Sequence, residues 1–316
     1  MNDPWLSVLI PTYNGQDYLK FTMESILSQG DDAIECIAID DGSTDGTIEI
    51  LNSYLDKLPI KIIQGERKGN WVASTNYALS IATAKYVCFL HQDDIWLGER
   101  LCTMKRLIAK YPEVNFFLHP SLFIDQAGHV LGEWNSPLPA YPKLIPPSMM
   151  TESLLIQNFI SMPAPIFKRE VAINLQGLDE SLWYTADWDF WLKISTFGST
   201  LYYPKPLSAF RVHSNSQTVM RSSSLMEFQE QMEIVVERYW SQWQATPSIR
   251  KKIKRIASFS IQVNTILAGI FHGYKLNFLK LLVAFLGLGF RGCYQYFQCS
   301  RIWERVSARL KIKFTS

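Results

Sequence analysis

The first hundred residues alternate between short apolar runs and segments with apolar side chains at helical spacing. The apolar runs, rich in β-branched and aromatic residues, predict strands at Leu6–Ile10, Ile34–Ile39, Ile60–Ile63 and Lys85–Leu90. The intervening segments predict helices at Asp17–Ser28, Thr47–Leu55 and Val72–Ala82. This alternation is typical of a mostly parallel sheet with helices on both faces, in which ligands bind at the carboxyl ends of the strands.

Polar clusters follow three of these strands. They are Pro11–Gly15, Asp40–Gly46 and His91–Asp94. Adjacent carboxylates such as Asp93 and Asp94 repel one another and are costly to bury, but a divalent cation at a strand end would neutralise them. A solvated turn is the alternative for such a pair. Asp41 could accept hydrogen bonds from a ribose or a base edge, or its loop could simply cap the next helix.

The middle of the chain continues with strands, helices and one long loop. The pattern predicts a helix at Trp96–Ala109, a strand at Val114–His119, a hairpin turning at Asp125–Gly128, a loop at Ser136–Pro147 and strands at Ser161–Lys168 and Pro206–Val212. A helix is predicted from Asp187, with Phe190, Trp191 and Ile194 facing inward. Asp187 stands in its first turn, where the helix dipole favours negative charge. It is either a functional acid or a plain helix cap, and Asp189 is the second candidate.

The C-terminal quarter differs sharply in charge from the rest. The 316 residues carry a net charge of +2, but from Arg250 onward thirteen Lys and Arg face only Glu304, so this part carries +12 and the rest −10. Ile256–Tyr274 has no charge, but polar residues interrupt it and no membrane span is predicted. The last helix carries a basic stripe beside apolar side chains: Arg301, Arg305 and Arg309, next to Ile302, Val306 and Leu310. We expect binding to an anionic membrane surface, or else a helical region packed on the core with a solvated basic face.

Composition and the absence of certain motifs exclude several classes of protein. A hydrophobic content of 47% and a charged content of 19% indicate an ordered globular protein. Five cysteines without CxxC spacing, two of them in apolar runs, indicate reduced thiols, and the first residues lack a secretory signal pattern. We therefore expect a cytoplasmic protein. The sequence has neither GxGxxG nor GxxxxGK[ST], which argues against dinucleotide-binding and P-loop folds, and no motif supports nucleic-acid binding.

Three motifs in this order resemble family 2 glycosyltransferases. They are Ser7–Asn14 (SVLIPTYN), Asp40–Asp45 (DDGSTD) and the later Asp93-Asp94 pair, and the resemblance covers about residues 5–215. It implies the GT-A (Rossmann-like) α/β fold, here as a catalytic domain at 1–220 with a nucleotide-sugar half (1–96) and an acceptor half (97–220). A basic helical region at 221–316 would follow. The family transfers sugars from nucleotide-activated donors with inversion, usually with Mn²⁺ or Mg²⁺.

The resemblance also implies roles for individual residues. Pro11, Tyr13, Asp41, Asn76 and Asp93 would bind the nucleotide-sugar, Asp94 and His213 the metal, and Asp187 would be the general base. Arg211, in a segment that resembles the family's Arg-x-His motif, would contact a phosphate, and Trp183 would contact the acceptor. The sequence departs from the family pattern at His91 and Ala186, where the family carries acids. His91 would then touch the donor or a phosphate, or simply pack.

The chemistry of sugar transfer explains these residue types. A sugar hydroxyl is a poor nucleophile, so a carboxylate takes its proton as it attacks, and a cation stabilises the departing diphosphate. We therefore expect an inverting hexosyl- or deoxyhexosyltransferase that acts on a glycan or lipid-linked acceptor in bacterial surface-polysaccharide synthesis, at the inner face of the cell membrane. A nucleotidyltransferase and an inactive membrane-bound scaffold are the alternatives.

Overall fold

The computed structural model describes residues 3–213, 224–274 and 278–315. The strands are β1 (Leu6–Thr12), β2 (Ile34–Asp40), β3 (Ile60–Gln64), β4 (Tyr86–Phe89), β5 (Ile95–Trp96), β6 (Phe116–Leu118), β7 (Ser121–Ile124), β8 (Val130–Trp134), β9 (Lys143–Ile145), β10 (Ile166–Lys168), β11 (Thr200–Tyr202) and β12 (Ser208–Arg211). The first seven helices are α1 (Leu19–Leu27), α2 (Thr47–Asn52), α3 (Trp71–Ile81), α4 (Arg100–Lys110), α5 (Pro147–Ile156), α6 (Arg169–Asn174) and α7 (Ala186–Ser195). Five C-terminal helices follow: α8 (Leu225–Gln242), α9 (Pro247–Phe271), α10 (Phe278–Gly287), α11 (Gly289–Ser300) and α12 (Ile302–Thr315).

The main sheet confirms the predicted α/β architecture. Its strand order is β3-β2-β1-β4-β10-β6-β11-β9, and β1 pairs in parallel with both β2 and β4. Leu9 of β1 lies opposite Ile37 and Phe89, so the three strands end at the same edge. A smaller sheet, β5-β12-β7-β8, lies beside it. This pairing brings the three predicted polar loops to one place.

Apolar side chains cover both faces of the main sheet. Val8 and Ile10 of β1 join one buried cluster with Met23, while Leu9 joins the other with Trp191. Phe190, Trp191 and Ile194 of α7 are all buried, as predicted. The five cysteines are free, as expected from their spacing.

The start of α4 differs from the prediction. The helical pattern predicted a start at Trp96, but Ile95–Trp96 pairs with β12 and the helix begins at Arg100. A strand more than 100 residues away thus overrides the local pattern. Among the described residues, no helix combines the length and apolarity needed to cross a bilayer.

The C-terminal helices pack against α5 and α7. Met232 and Val235 of α8 and Ile256 and Phe259 of α9 are buried in the same cluster as α5 and α7. The last helix, α12, lies on β8, where Glu304 accepts a hydrogen bond from the Asn135 main chain at 3.1 Å. The predicted boundary at residue 220 falls in 214–223, outside the described residues.

Asp189 anchors α8 to α7. Its carboxylate is fully buried and accepts hydrogen bonds from Arg238 at 2.6 Å and from the Tyr239 hydroxyl at 3.0 Å. Lys193 lies 3.5 Å from its other oxygen. A buried carboxylate is stable only with such partners. Asp189 therefore points into the helix packing, as its position two residues beyond Asp187 suggested.

Replacing Asp189 should destabilise the fold far more than removing a surface ion pair. We expect Asp189→Asn to lower the free energy of unfolding by about 3 kcal/mol, because it leaves Arg238 and Lys193 without their buried counter-charge. Glu237→Gln, which removes an exposed pair with Lys254, should cost under about 1 kcal/mol. Urea denaturation measures both, and equal losses would contradict a structural role for Asp189.

Candidate functional site

The site begins where β1 and β4 end side by side. Gln92, in the loop after β4, accepts a hydrogen bond from the Tyr13 N–H at 2.8 Å and donates one to the Tyr13 carbonyl oxygen at 2.9 Å. Its side chain passes so close to Gly15 that a Cβ there would lie 2.4 Å from Gln92 Oε1. Glycine at position 15 thus allows the two loops to meet. Pro11 is buried near the end of β1.

Asp41 faces the loop that follows β3. Its carboxylate pairs with Arg67 and accepts the main-chain N–H groups of Lys68 at 2.7 Å and Gly69 at 2.8 Å. The Arg67 guanidinium also lies 3.5 Å above the centre of the Tyr13 ring. Arg67 thus stacks on Tyr13 and pairs with Asp41 at the predicted base-binding position. The sequence analysis placed Tyr13 and Asp41 there but did not identify Arg67.

The aspartate pair occupies two different environments. Asp94 is 1% exposed, and its Oδ1 accepts the main-chain N–H of Arg211 at 3.0 Å. The other oxygen, Oδ2, is buried without a hydrogen-bond partner in the part of the chain that is described. The Asp93 side chain is 24% exposed, and its Oδ2 lies 3.0 Å from His213 Nε2. The exposed carboxylate is therefore Asp93, with Asp94 behind it.

Burial and neighbouring charge separate the acidities of the two aspartates. Burial and the adjacent Asp93 carboxylate raise the pKa of Asp94 well above its ordinary value, and the Arg211 N–H offsets this only in part. Burial alone would also raise the pKa of Asp93, but the hydrogen bond from His213 lowers it below its usual range. Asp93 is thus the member of the pair that carries negative charge.

Arg211 connects this loop to the second sheet. It is buried, and Nε donates to the Asp93 carbonyl oxygen at 2.8 Å. Nη1 donates to the carbonyl oxygens of Asp125 and Gln126 at 2.8 and 3.0 Å. Its donors therefore meet main-chain oxygens, whereas the sequence analysis expected a phosphate contact.

Asp187 lies in the first turn of α7, held by a residue that the sequence analysis missed. The amide of Asn158 donates to Asp187 Oδ2 at 2.8 Å. Burial raises the pKa of Asp187 to about 6, although the Trp188 N–H and the Asn158 amide stabilise its charged form. A carboxylate that is ionised near neutral pH but still basic has the properties of a general base.

Asn76 of α3 contacts the segment that leads into α7 and contains Trp183. The Asn76 amide bonds both main-chain groups of Leu178 at 2.9 Å and the Glu180 carboxylate at 3.0 Å. A Cβ on Gly177, which has φ +63°, would lie 2.5 Å from Asn76 Oδ1. Asn76 therefore clamps this segment, whereas the sequence analysis expected it beside the nucleotide.

One aromatic side chain links the two halves of the site. The Trp71 ring packs edge-on against His91 at 5.0 Å, and its Nε1 donates to the Trp183 carbonyl oxygen at 3.2 Å. Burial lowers the pKa of His91, with a smaller opposing effect from Asp93. His91 thus packs as a neutral ring. Through Trp71, the aspartate loop and the segment before Asp187 are joined in one structure.

Two side chains of the site, Asp93 and His213, are spaced as cation ligands would be. In the part of the chain that is described, no cluster of three His, Cys, Asp or Glu could hold a metal ion. Asp93 Oδ2 and His213 Nε2 nevertheless lie 3.0 Å apart, which is about the spacing of neighbouring ligands around an octahedral ion with bonds of about 2.1 Å. Mg²⁺ is commonly held by one or two side chains together with substrate phosphates. The pair therefore fits a cation that arrives with a diphosphate.

Comparison with known proteins agrees with this arrangement. Residues 7–138 match the family described as Glycosyl transferase family 2. The putative teichuronic acid biosynthesis glycosyltransferase TuaG of Bacillus subtilis is 28% identical over 67% of this chain and 81% of TuaG. The UDP-Glc:alpha-D-GlcNAc-diphosphoundecaprenol beta-1,3-glucosyltransferase WfaP of Escherichia coli is 34% identical over 42% of this chain and 51% of WfaP.

A solved structure shares the fold. Residues 1–349 of S. aureus TarS, in complex with UDP-GlcNAc, superpose with a TM-score of 0.69 at 18% identity, covering 93% of this chain and 79% of that one. Sequence motifs, sheet order and this superposition agree. Residues 7–138 form a domain of glycosyltransferase family 2, and the chain has the GT-A fold.

Proposed function

We propose that this chain transfers a sugar from a nucleoside diphosphate donor to a hydroxyl group of a glycan or lipid-linked acceptor, with inversion. The observation that carries the proposal is that Trp71 links the loop that bears Asp93 to the segment that leads into Asp187. The Asp93–His213 pair suits a cation-bound diphosphate, and Asp187, with its raised pKa, suits proton removal.

The cation ligands in this proposal are Asp93 and His213. The sequence analysis assigned Asp94 to the metal and Asp93 to the ribose, but Asp94 is buried against the Arg211 main chain. When bound, Mn²⁺ or Mg²⁺ would neutralise charge on the diphosphate. We assign Asp94 to holding the loop that presents Asp93.

Arg67 marks the place of the nucleobase. Its planar guanidinium stacks on Tyr13 and donates to Asp41. A nucleobase with a ring N–H offers the same flat shape and the same donor to a carboxylate. We therefore assign the base to this stack, with Pro11 and Tyr13 as its floor and Asp41 as its acceptor. Arg67 would move aside as the donor binds.

Asp187 performs the proton transfer in this scheme. Its carboxylate takes the proton of the acceptor hydroxyl while that oxygen forms a bond to the anomeric carbon. The bond from the anomeric carbon to the diphosphate oxygen breaks on the opposite side, so the configuration inverts. Asn158 orients the carboxylate through its 2.8 Å hydrogen bond. No covalent sugar–enzyme intermediate is required.

A lipid-linked acceptor at a membrane is supported by the relatives and by a nearby groove. The name of WfaP specifies a diphosphoundecaprenol-linked acceptor, and that of TuaG teichuronic acid biosynthesis. A groove of about 620 Å³ lies between the β7–β8 hairpin and α12, lined by Asp125, His129, Leu131, Trp303, Val306, Ser307, Leu310 and Lys311. Arg211 bonds to the same hairpin, so the groove adjoins the site. We propose cytoplasmic-face surface-polysaccharide synthesis, with Trp183 as a further acceptor contact.

The cation assignment can be tested by nucleotide binding with and without Mn²⁺. Titration calorimetry with UDP and GDP should show tighter binding in Mn²⁺ for the native chain. Asp93→Asn and His213→Gln should each abolish this gain, whereas Asp94→Asn, which keeps the acceptor for the Arg211 N–H, should retain it. Loss of the gain in Asp94→Asn alone would restore the original assignment.

The general base can be tested by separating turnover from donor binding. Asp187→Asn should lower kcat about 10²- to 10⁴-fold, because an amide cannot accept the hydroxyl proton. Nucleotide affinity should stay unchanged. Activity is measured as nucleoside diphosphate released from a panel of nucleotide-sugars. Normal turnover would place the base elsewhere, and no turnover by the native chain with any donor would favour the inactive scaffold.

The pH dependence follows from the raised pKa of Asp187. Because the base must be ionised, kcat should fall about tenfold per pH unit below pH 6 and level off above it. Asn158→Ala removes a hydrogen bond that stabilises the charged form, so the midpoint should move to higher pH by about one unit. A midpoint that does not move would show that Asn158 does not act on the base.

A further inference from the structure

Helix α10 is apolar on two opposite sides. Leu281, Ala284 and Phe285 pack against the buried core. The other side carries Leu279, Leu282, Val283 and Leu286, all exposed, with Leu279 at 71% and Leu286 at 67%. A helix that is apolar all round belongs in a protein interior or in contact with lipid. Here one side meets protein and the other meets nothing in the described chain.

The apolar surface continues onto the next two helices. Phe290, in the first turn of α11, is 90% exposed, and Tyr294 follows one turn later, also exposed. Trp303 of α12 is exposed and stacks on Phe297 of α11 at 5.9 Å. Large aromatic and leucine side chains of this kind are characteristic of helices that lie at the membrane interface. We call Leu279, Leu282, Val283, Leu286, Phe290 and Trp303 the α10 face.

Positive charge borders the α10 face. A cleft between α9 and α10 is lined by Lys254, Arg255, Ser258 and Gln262, and Arg255 donates to the carbonyl oxygen of Gly287, the last residue of α10. Arg291 of α11 is exposed beside Phe290. From Arg250 onward Glu304 is the single acid in the sequence. Apolar side chains with cations at their edge match an anionic lipid surface, because the apolar groups can contact the acyl chains while the cations contact the phosphates.

The basic stripe predicted on α12 is a weaker candidate for this contact. Arg301 pairs with Glu304 at 2.8 Å, and Arg305 donates to Asn264 at 3.0 Å. The Arg309 side chain lies outside the described residues. Ala308 of the same helix is buried against β7 and β8. The helix that the sequence pattern favoured is therefore largely engaged with protein, while α10 is open.

We infer that the α10 face inserts into the interface of an anionic phospholipid bilayer, with Arg255 and Arg291 at the level of the lipid phosphates. A second copy of this chain is a poorer occupant, because it would bring two strongly basic regions together. The inference deepens the proposed lipid-linked acceptor by naming the surface that would hold the enzyme at that lipid.

Vesicle flotation tests the inference without any catalytic readout. The native chain should float with vesicles containing phosphatidylglycerol and much less with phosphatidylcholine alone. The triple variant Leu279→Ser, Val283→Ser, Leu286→Ser should bind the anionic vesicles at least tenfold more weakly, because three apolar anchors are lost. All three side chains are exposed, so folding should be preserved, and release of nucleoside diphosphate in detergent should match the native chain.

A matched control removes as many exposed apolar side chains from the catalytic half. The triple variant Leu55→Ser, Ile173→Ser, Phe197→Ser changes exposed side chains outside the C-terminal helices and should float like the native chain. Equal binding by the α10 variant and the native chain, or no vesicle binding at all, would overturn the inference. The inference would also be overturned if light scattering showed a dimer without lipid and the α10 substitutions dissociated that dimer. Each outcome is separable from failure of the proposed transfer, which is measured by turnover.

Discussion

The buried guanidinium of Arg211 joins the two sheets at the site. Its main-chain N–H holds Asp94, while its side chain donates to carbonyl oxygens in the aspartate loop and in the β7–β8 hairpin. Burial lowers the pKa of Arg211, and the charges of Asp93 and Asp94 offset this in part. One cation thus supports two adjacent acids. This balance leaves one acid buried behind the loop and the other charged at the surface, and the proposed cation site rests on this arrangement.

Much of the fold could be predicted because its local patterns and its long-range packing agree. Strands β1 to β4 and helices α1 to α3 follow the apolar pattern to within a few residues. Helix α5 could not be identified in this way, because six of its ten residues are buried between the sheet and α9 and its pattern has no polar face. Strand β11 has only three residues, too few for a recognisable pattern, and it is a strand because it pairs with β6 and β9.

The site was predictable at the level of loops but not of side-chain directions. The polar loops after β1, β2 and β4 meet as expected, since parallel strands end at one edge. Asn76 and Arg211, however, bond to main-chain groups about 100 residues away in sequence. Gln92 and Asn158 were overlooked for the same reason, because nothing local distinguishes a polar residue whose partner is distant. The local sequence shows that a polar residue lies on a loop, whereas its hydrogen-bond partner is determined only by the packing of distant segments.

Charge counting alone locates the proposed membrane contact only coarsely. The sequence places +12 beyond residue 250 and −10 before it, which orients a protein toward an anionic surface at a distance. Electrostatic attraction of this kind is screened within about one Debye length and specifies no particular helix. Apolar insertion acts only on contact, so the exposed side chains of α10 decide which helix meets the lipid. The two effects are complementary in the proposed contact: the charge would turn the basic helices toward the membrane, and the apolar side chains would fix the surface that remains there.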